Sequence, residues 1–191
     1  PTHPAPSFRP GSIVRVACEH FVTYDAVEFR PGPHLNMIVG PNGTGKSTVV
    51  CAIALGLGWK PSVLGRAKDV ASYVKLGHSQ GWVEIELQGT ESNVTIRRIL
   101  FRESNTSDWM LQGVPASARQ VHQAVSQFNI EVGNLCAFLP QDRVADFAAM
   151  TPSKLLQDTQ HAAGHAQLSE WHAQLIDYGH QRAALDARLE Q

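Results

Sequence analysis

Eight consecutive residues constrain this chain more than any other stretch. Gly40-Pro41-Asn42-Gly43-Thr44-Gly45-Lys46-Ser47 satisfies the pattern G-x-x-x-x-G-K-S/T. At average residue usage, a chain of 191 residues meets that pattern by chance roughly once in 150. The flanks supply the context its mechanism requires. Before it, the apolar run from Leu35 to Val39 reads as a central parallel strand buried on both faces. After it, Ser47, Thr48, Val49, Val50, Cys51, Ala52, Ile53, Ala54 and Leu55 read as an apolar helix that stops at Gly56 or Gly58. In a strand, glycine-rich turn and helix succession, the glycines let backbone N–H groups converge on a phosphate chain, and the helix N-terminus adds partial positive charge. The candidate nucleotide contacts are therefore Gly40, Pro41, Asn42, Gly43, Thr44, Gly45, Lys46, Ser47 and Thr48. Lys46 would neutralise the terminal phosphates, Ser47 would offer its hydroxyl to magnesium, and Thr48 would reach a phosphate nearer the sugar.

Strand-like alternation occurs at residues 12–18 and 24–29, and again at 82–87 and 94–101, the last two forming a hairpin around Glu91-Ser92-Asn93. A further short strand fits 109–111, and Ser117 is placed to cap a helix reaching Phe128. The apolar run 135–139 ends at Pro140, and a strand there would deliver Gln141 to the ligand crevice of an α/β sheet. A loop role for that glutamine is equally open from the residues alone. Asp142 is placed to cap a helix to Met150, and Thr151-Pro152 to start another. Beyond it Leu168, Trp171, Leu175, Tyr178, Arg182, Leu185 and Leu189 alternate at spacings of three and four, an a/d seam running to the last residues as though the chain were cut inside a helix. An ordinary amphipathic helix packed on a domain has the same pattern over so few turns. The expected organisation is a loose N-terminus at 1–10, a lobe carrying the phosphate-binding loop at 11–163 and a coiled-coil arm from 164 to 191.

Sixteen Lys and Arg oppose seventeen Asp and Glu, for a net charge of -1, so any attraction to DNA must come from a local patch. The most basic stretch is 60–81, with Lys60, Arg66, Lys68 and Lys75 against one acid, Asp69; these four cations are the candidate DNA contacts. A solvated loop is the bland alternative. Arg97, Arg98 and Arg102 form a second basic group, but neighbours on a strand face opposite ways and cannot all share one surface. The longest nearly uncharged apolar stretch, 49–59, falls short of the ~20 residues of a spanning helix, which argues against a membrane segment. Cys18, Cys51 and Cys136 are scattered and odd in number, implying a reduced intracellular setting and no cysteine zinc site, and residues 1–10 lack the parts of a secretory signal. His161 and His165 stand at i, i+4 without a third spaced ligand, so a solvated helix face explains them better than a metal.

Glu19-His20-Phe21-Val22-Thr23-Tyr24, Pro31-Gly32-Pro33, the loop itself and Leu55-Gly56-Leu57-Gly58 together resemble the N-terminal half of the ATPase head of the structural maintenance of chromosomes (SMC) family. Gly65-Arg66-Ala67, Val74-Lys75-Leu76-Gly77 and the block Asn134-Leu135-Cys136-Ala137-Phe138-Leu139-Pro140-Gln141-Asp142-Arg143-Val144 are similar to its fifth eukaryotic branch. That resemblance implies an α/β fold of the P-loop NTPase class, the N-terminal lobe of an ABC-type ATPase head with the start of an antiparallel coiled coil, using ATP and Mg2+. Gln141 would then be the Q-loop residue that completes the magnesium shell and senses the γ-phosphate, and Arg66 would be the R-loop arginine that meets DNA. Implied partners are the C-terminal half of the same head, the sister sixth member, a kleisin with other non-SMC subunits, and DNA, on chromosomes in the nucleus during repair by recombination. The chain contains no Leu-Ser-Gly-Gly signature and no apolar run ending in Asp-Glu, so a Walker B carboxylate and the opposing signature would have to come from elsewhere. A transporter's nucleotide-binding domain shares the loop and the glutamine but needs no seam. A DNA-binding platform with little turnover is the other alternative.

Overall fold

The computed structural model describes residues 7–65, 67–130, 133–163 and 166–189. They form two compact units, residues 1–133 and 134–191.

The first unit is built on a six-stranded sheet in the order β2-β1-β3-β4-β5-β6, antiparallel throughout. Its strands are β1 (Ile13–Phe21), β2 (Tyr24–Phe29), β3 (Gln80–Leu87), β4 (Val94–Phe101), β5 (Thr106–Leu111) and β6 (Val114–Ala116). Period-two alternation gives the sheet two chemically different faces. On one lie Val16, Cys18, Val83, Ile85, Leu87, Ile96 and Leu100, all buried. Helix α1 (Lys46–Gly56) covers this face through β1, β3 and β4. Being apolar nearly all round, α1 is buried on most of its surface, as that pattern requires. It ends in a Schellman motif: Trp59 N–H donates to Ala54 O at 3.0 Å and Gly58 N–H to Leu55 O at 3.2 Å, with Gly58 at φ 98°.

The opposite face is laced with charge. Glu84 accepts from Arg15 and, at 2.6 Å, from Arg97, while Arg15 also reaches Glu86 at 3.1 Å and Glu28 at 3.2 Å. Asn93 donates to Glu86 at 2.7 Å, and this bond, with help from Arg15, holds the Glu86 carboxyl below the usual carboxylate range. Arg97 also lies over the Trp82 ring, 4.3 Å from its centroid. Its neighbour Arg98 faces the other way, under α1, donating to Leu55 O and Trp59 O. Burial pulls the Arg98 guanidinium down to about 10, so it keeps its charge at neutral pH. The first unit closes with helix α2 (Ala118–Ser126), which Ser117 caps as the sequence leads one to expect; Gln120 completes a capping box that was not foreseen, and the helix ends two residues short of Phe128.

One expectation fails here, and one strand was not expected. Residues 35–39 form no strand: the run is irregular and pairs with no strand, with Leu35 93% and Val39 81% exposed. An apolar run becomes a strand only where neighbouring backbone is available to pair with it, and none of the six strands pairs with this one. Strand β6 was not foreseen because it carries Pro115; an edge position tolerates a missing donor, and Gln112-Gly113, both at positive φ, turn the chain into it.

The second unit contains α3 (Val144–Ala148), α4 (Pro152–Ala163) and α5 (Ala166–Leu189). Residues 135–139 are a turn rather than a strand, a second correction to the apolar-run reading. The buried Asn134 causes it: its Oδ1 accepts from Cys136 N–H at 2.9 Å, its carbonyl from Ala137 and Phe138 N–H, and its Nδ2 donates to Asp158 O at 2.8 Å. Asp142 does not cap α3; it sits inside a short 3-10 turn (Gln141–Arg143) and Arg143 takes the cap position. Thr151 does cap α4, accepting from Lys154 N–H at 3.3 Å. The apolar members of the α5 seam from Trp171 onward are 53% to 84% exposed, and no described helix is long and apolar enough to cross a membrane.

Gly56 is where α1 comes closest to the sheet: a Cβ there would stand 2.5 Å from Ile85 Cγ1. Gly to Ala inside a helix ordinarily gains about 1 kcal/mol, but forcing a methyl into a sealed core costs ~1–3 kcal/mol. Gly56→Ala is therefore expected to lower stability by about 1 kcal/mol in urea unfolding; equal or higher stability would refute the close approach.

Candidate functional site

The glycine-rich loop at 40–45 joins the run 35–39 to α1. Its conformation depends on Gly45, the N-cap of α1 at φ 93°, and on Gly43 at φ 85°. Both lie in the left-handed region that side chains disfavour. The Gly45 carbonyl accepts three donors: Thr48 N–H at 2.8 Å, Val49 N–H at 3.2 Å and the Tyr24 hydroxyl at 3.0 Å. Thr44 Oγ1 donates back to Pro41 O at 2.9 Å, tightening the curl. Lys46 folds over the loop, its ammonium donating to the carbonyls of Gly40 and Pro41, each at 2.8 Å. Asn42 and Ser47 are exposed, whereas Thr48 is buried with its hydroxyl 3.5 Å from that of Thr23.

The electrostatics of this helix start favour an anion. No side chain caps α1 and its first turn contains no acid, although both are common ways of satisfying a helix N-terminus. The N–H groups of Lys46 and Ser47 have no intrahelical acceptor by the geometry of a first turn. Lys46 adds a full positive charge beside them, and the exposed Ser47 hydroxyl is available as a hard oxygen ligand for a divalent cation. The loop therefore fits a magnesium-bound phosphate chain, and it does so with the residues that the sequence singles out.

The other candidates are placed as follows. Gln141 is exposed and opens the 3-10 turn of the second unit. Lys60 and Lys68 are exposed, Lys60 just before the 3-10 turn Pro61–Leu64. Lys75 is not a free cation: its ammonium lies 2.6 Å from Asp25, and that hydrogen bond lowers the Asp25 pKa. Arg66 lies outside the described residues, as does His165. Of the second basic group, Arg97 and Arg98 are engaged as above and Arg102 donates to His78 O and Val74 O, so all three guanidiniums have partners within the fold. Tyr24 is the site residue that motif reading does not find. It closes the block Glu19–Tyr24 that carries the family resemblance, but nothing in that block marks it as a partner of Gly45, 21 residues further on.

A family model described as an AAA domain matches residues 15–190. The chain is 45% identical over 172 residues to structural maintenance of chromosomes protein 5 of Arabidopsis thaliana, covering 89% of this chain and 16% of that protein. It is 44% identical over 168 residues to the Schizosaccharomyces pombe protein of the same name, covering 87% and 16%. This chain thus spans about a sixth of the length of the curated relatives it matches. A solved Smc head domain with an extended coiled coil, bound to the C-terminal domain of ScpA from Pyrococcus furiosus, superposes with a TM-score of 0.71 at 21% identity over 93% of this chain and 48% of its own. A chain from work on ATP-driven dimerization and DNA-stimulated activation of SMC ATPases gives 0.68 at 20% identity, covering 79% of this chain and 99% of its own. At these identities the solved structures show the fold alone: that of the N-terminal part of an SMC head domain.

The two left-handed glycines of the loop differ in surroundings. A Cβ at Gly43 would meet nothing within 4 Å, whereas one at Gly45 would stand 2.5 Å from Tyr24 Oη. Gly45→Ala is therefore expected to speed amide hydrogen exchange across 43–48 at least tenfold more than Gly43→Ala, whose cost is backbone strain of about 1 kcal/mol. Equal effects would show that Tyr24 does not confine the loop.

Proposed function

Because the chain belongs to the structural maintenance of chromosomes family of AAA-domain proteins, we propose that it supplies the ATP-binding lobe of an SMC head that hydrolyses ATP to control DNA entrapment in chromosome maintenance and repair by recombination, in the nucleus. One observation carries this reading: an uncapped, acid-free helix start at Gly45 with the Lys46 ammonium folded over it. The two carbonyls that hold Lys46 are neutral acceptors, whereas a phosphate oxygen carries negative charge and adds ion–ion attraction to the hydrogen bond. Exchange of Lys46 from Gly40 O and Pro41 O onto a terminal phosphate is thus downhill. Magnesium, when bound, would neutralise phosphate charge, and the residues assigned to hold it are Ser47, through its hydroxyl, and Gln141.

The remaining chemistry is assigned to partners. The general base belongs to the C-terminal half of the same head, and the signature that closes over the γ-phosphate belongs to a sister head of the sixth type. The differential contacts of that phosphate with the engaged pair are what hydrolysis removes. The exposed run 35–39 supports this division, since strands from the missing half would pair with its backbone and cover its side chains. The open α5 seam supports an antiparallel return helix, beyond which a kleisin and other non-SMC subunits would bind. Lys60 and Lys68, with Arg66, are assigned to DNA; Lys75 is set aside because Asp25 already holds it.

The test is an assembly of this chain with its C-terminal head half and sister head. Lys46→Ala is expected to abolish ATP binding in calorimetry, and an unchanged affinity would overturn the nucleotide reading. Gln141→Ala is expected to leave ATP affinity within about threefold while slowing single-turnover hydrolysis at least tenfold. A normal single-turnover rate would remove Gln141 from the reaction.

A further inference from the structure

Tyr24 lies outside the glycine-rich motif, yet it touches the residue on which the motif turns. Its hydroxyl donates to the Gly45 carbonyl at 3.0 Å, and its ring lies so close that a Cβ on Gly45 would stand 2.5 Å from Oη, 2.7 Å from Cζ and 3.1 Å from Cε1. Burial raises the phenol pKa, with Cys18 adding to it, so the hydroxyl remains a donor at any physiological pH. In a trans peptide, the carbonyl of one residue and the N–H of the next point in opposite directions. Fixing the Gly45 carbonyl therefore fixes the Lys46 N–H, which must point out of the N-terminal end of α1.

The turn that carries Tyr24 is itself held under strain. Val22 is β-branched and sits at φ 49°, a conformation such residues rarely adopt. It persists because both sides are pinned: Phe21 is fully buried with its ring 5.9 Å from that of Tyr73, and Val22 N–H donates to Tyr73 O at 2.9 Å. Phe21 and Tyr24 face each other across the turn as partners in the β1–β2 register. Thr23, between them and Tyr24, brings its hydroxyl 3.5 Å from that of Thr48, a second point of contact with the start of α1. Strain retained by an over-determined surrounding is a mark of a functional position.

We infer that Tyr24 is a positioning residue for nucleotide binding: through its hydrogen bond and ring contact at Gly45 it orients the Gly45–Lys46 peptide so that the Lys46 N–H faces the phosphate. This rests on the nucleotide-binding reading above. Tyr24 acts through the loop backbone and so affects binding of any nucleotide with a phosphate at that N–H, ADP as much as ATP, rather than the chemical step.

The test uses the assembled head with its C-terminal half and sister head, and the variants Tyr24→Phe, Tyr24→Ala and Lys46→Ala. Loss of one hydrogen bond predicts a threefold to tenfold rise in Kd for both ATP and ADP in Tyr24→Phe, with the melting temperature within about 2 °C and the single-turnover rate at saturating ATP within about twofold. Tyr24→Ala, lacking the ring as well, is expected to weaken both nucleotides further, and Phe at this position to recover part of that loss. Affinities within twofold of the parent in Tyr24→Phe would overturn the inference, as would a fall in melting temperature with no change in Kd. If Tyr24→Ala does not fold, Tyr24→Phe decides alone. Intact ATP binding in Lys46→Ala would instead bring down the nucleotide reading itself.

Discussion

Helix α1 is pinned to the sheet at both ends by glycines, and the rest of the first unit is arranged around those two contacts. At its C-terminal end Gly56 lets the helix backbone settle against Ile85 of β3. At its N-terminal end Gly45 lets the backbone settle against Tyr24 of β2. Eleven residues of rise, about 16 Å, separate the two, so the helix is held like a bar between fixed points on different strands. The apolar face supplies the adhesion, and the glycines set the distance. A helix held this way cannot swing its N-terminus, and the glycine-rich loop inherits that rigidity without a side-chain cap. This is how a start of helix can be left electrostatically open and still keep one shape.

The charged face of the sheet serves the same end. A twisted antiparallel sheet with one apolar face must present the other to something polar, and here that face is tied together by Arg15, Glu84, Glu86, Glu28 and Arg97 rather than left to solvent. The strands so joined are β2, β1, β3 and β4, and they include both strands against which α1 is pinned. Because Arg98 points beneath α1 while Arg97 points away, a pair of adjacent arginines does two unrelated tasks. That is why near-neutral composition is a poor guide to surface charge. Most of the cations grouped in the sequence are consumed in holding the fold, and the basic loop keeps Lys60 and Lys68 as its exposed described members.

Much of this was legible from local pattern. Strand β2, helix α1, the β3–β4 hairpin and the Ser117 cap follow from periodicity and capping chemistry that act over a few residues. What was not legible depends on what lies across from a segment. Residues 35–39 have the composition of a buried strand and are exposed, since pairing is a property of neighbours and not of the run. Residues 135–139 have a similar composition and form a turn, because one buried asparagine outcompetes the ladder for their N–H groups. The motif residues were found because the motif is contiguous. Tyr24 was not, because its bond to Gly45 exists only once β2 and α1 are folded against the same sheet.

The two places where apolar surface remains open have different geometries, and the difference bears on what would cover each. Residues 35–39 expose side chains and unpaired backbone together, so the complementary surface must supply hydrogen-bonding edges as well as apolar contact; only another strand does both. In α5 the backbone is satisfied within the helix and only the stripe at Trp171, Leu175, Tyr178, Leu185 and Leu189 is open. Such a stripe, narrow and recurring every three or four residues, matches the seam of another helix better than the broad face of a domain. The tryptophan and tyrosine of the seam strengthen this, as each needs a partner that covers the ring while leaving its polar edge at the rim. The first unit's open run is therefore complementary to a strand, and the α5 stripe to a helix, each for its own physical reason.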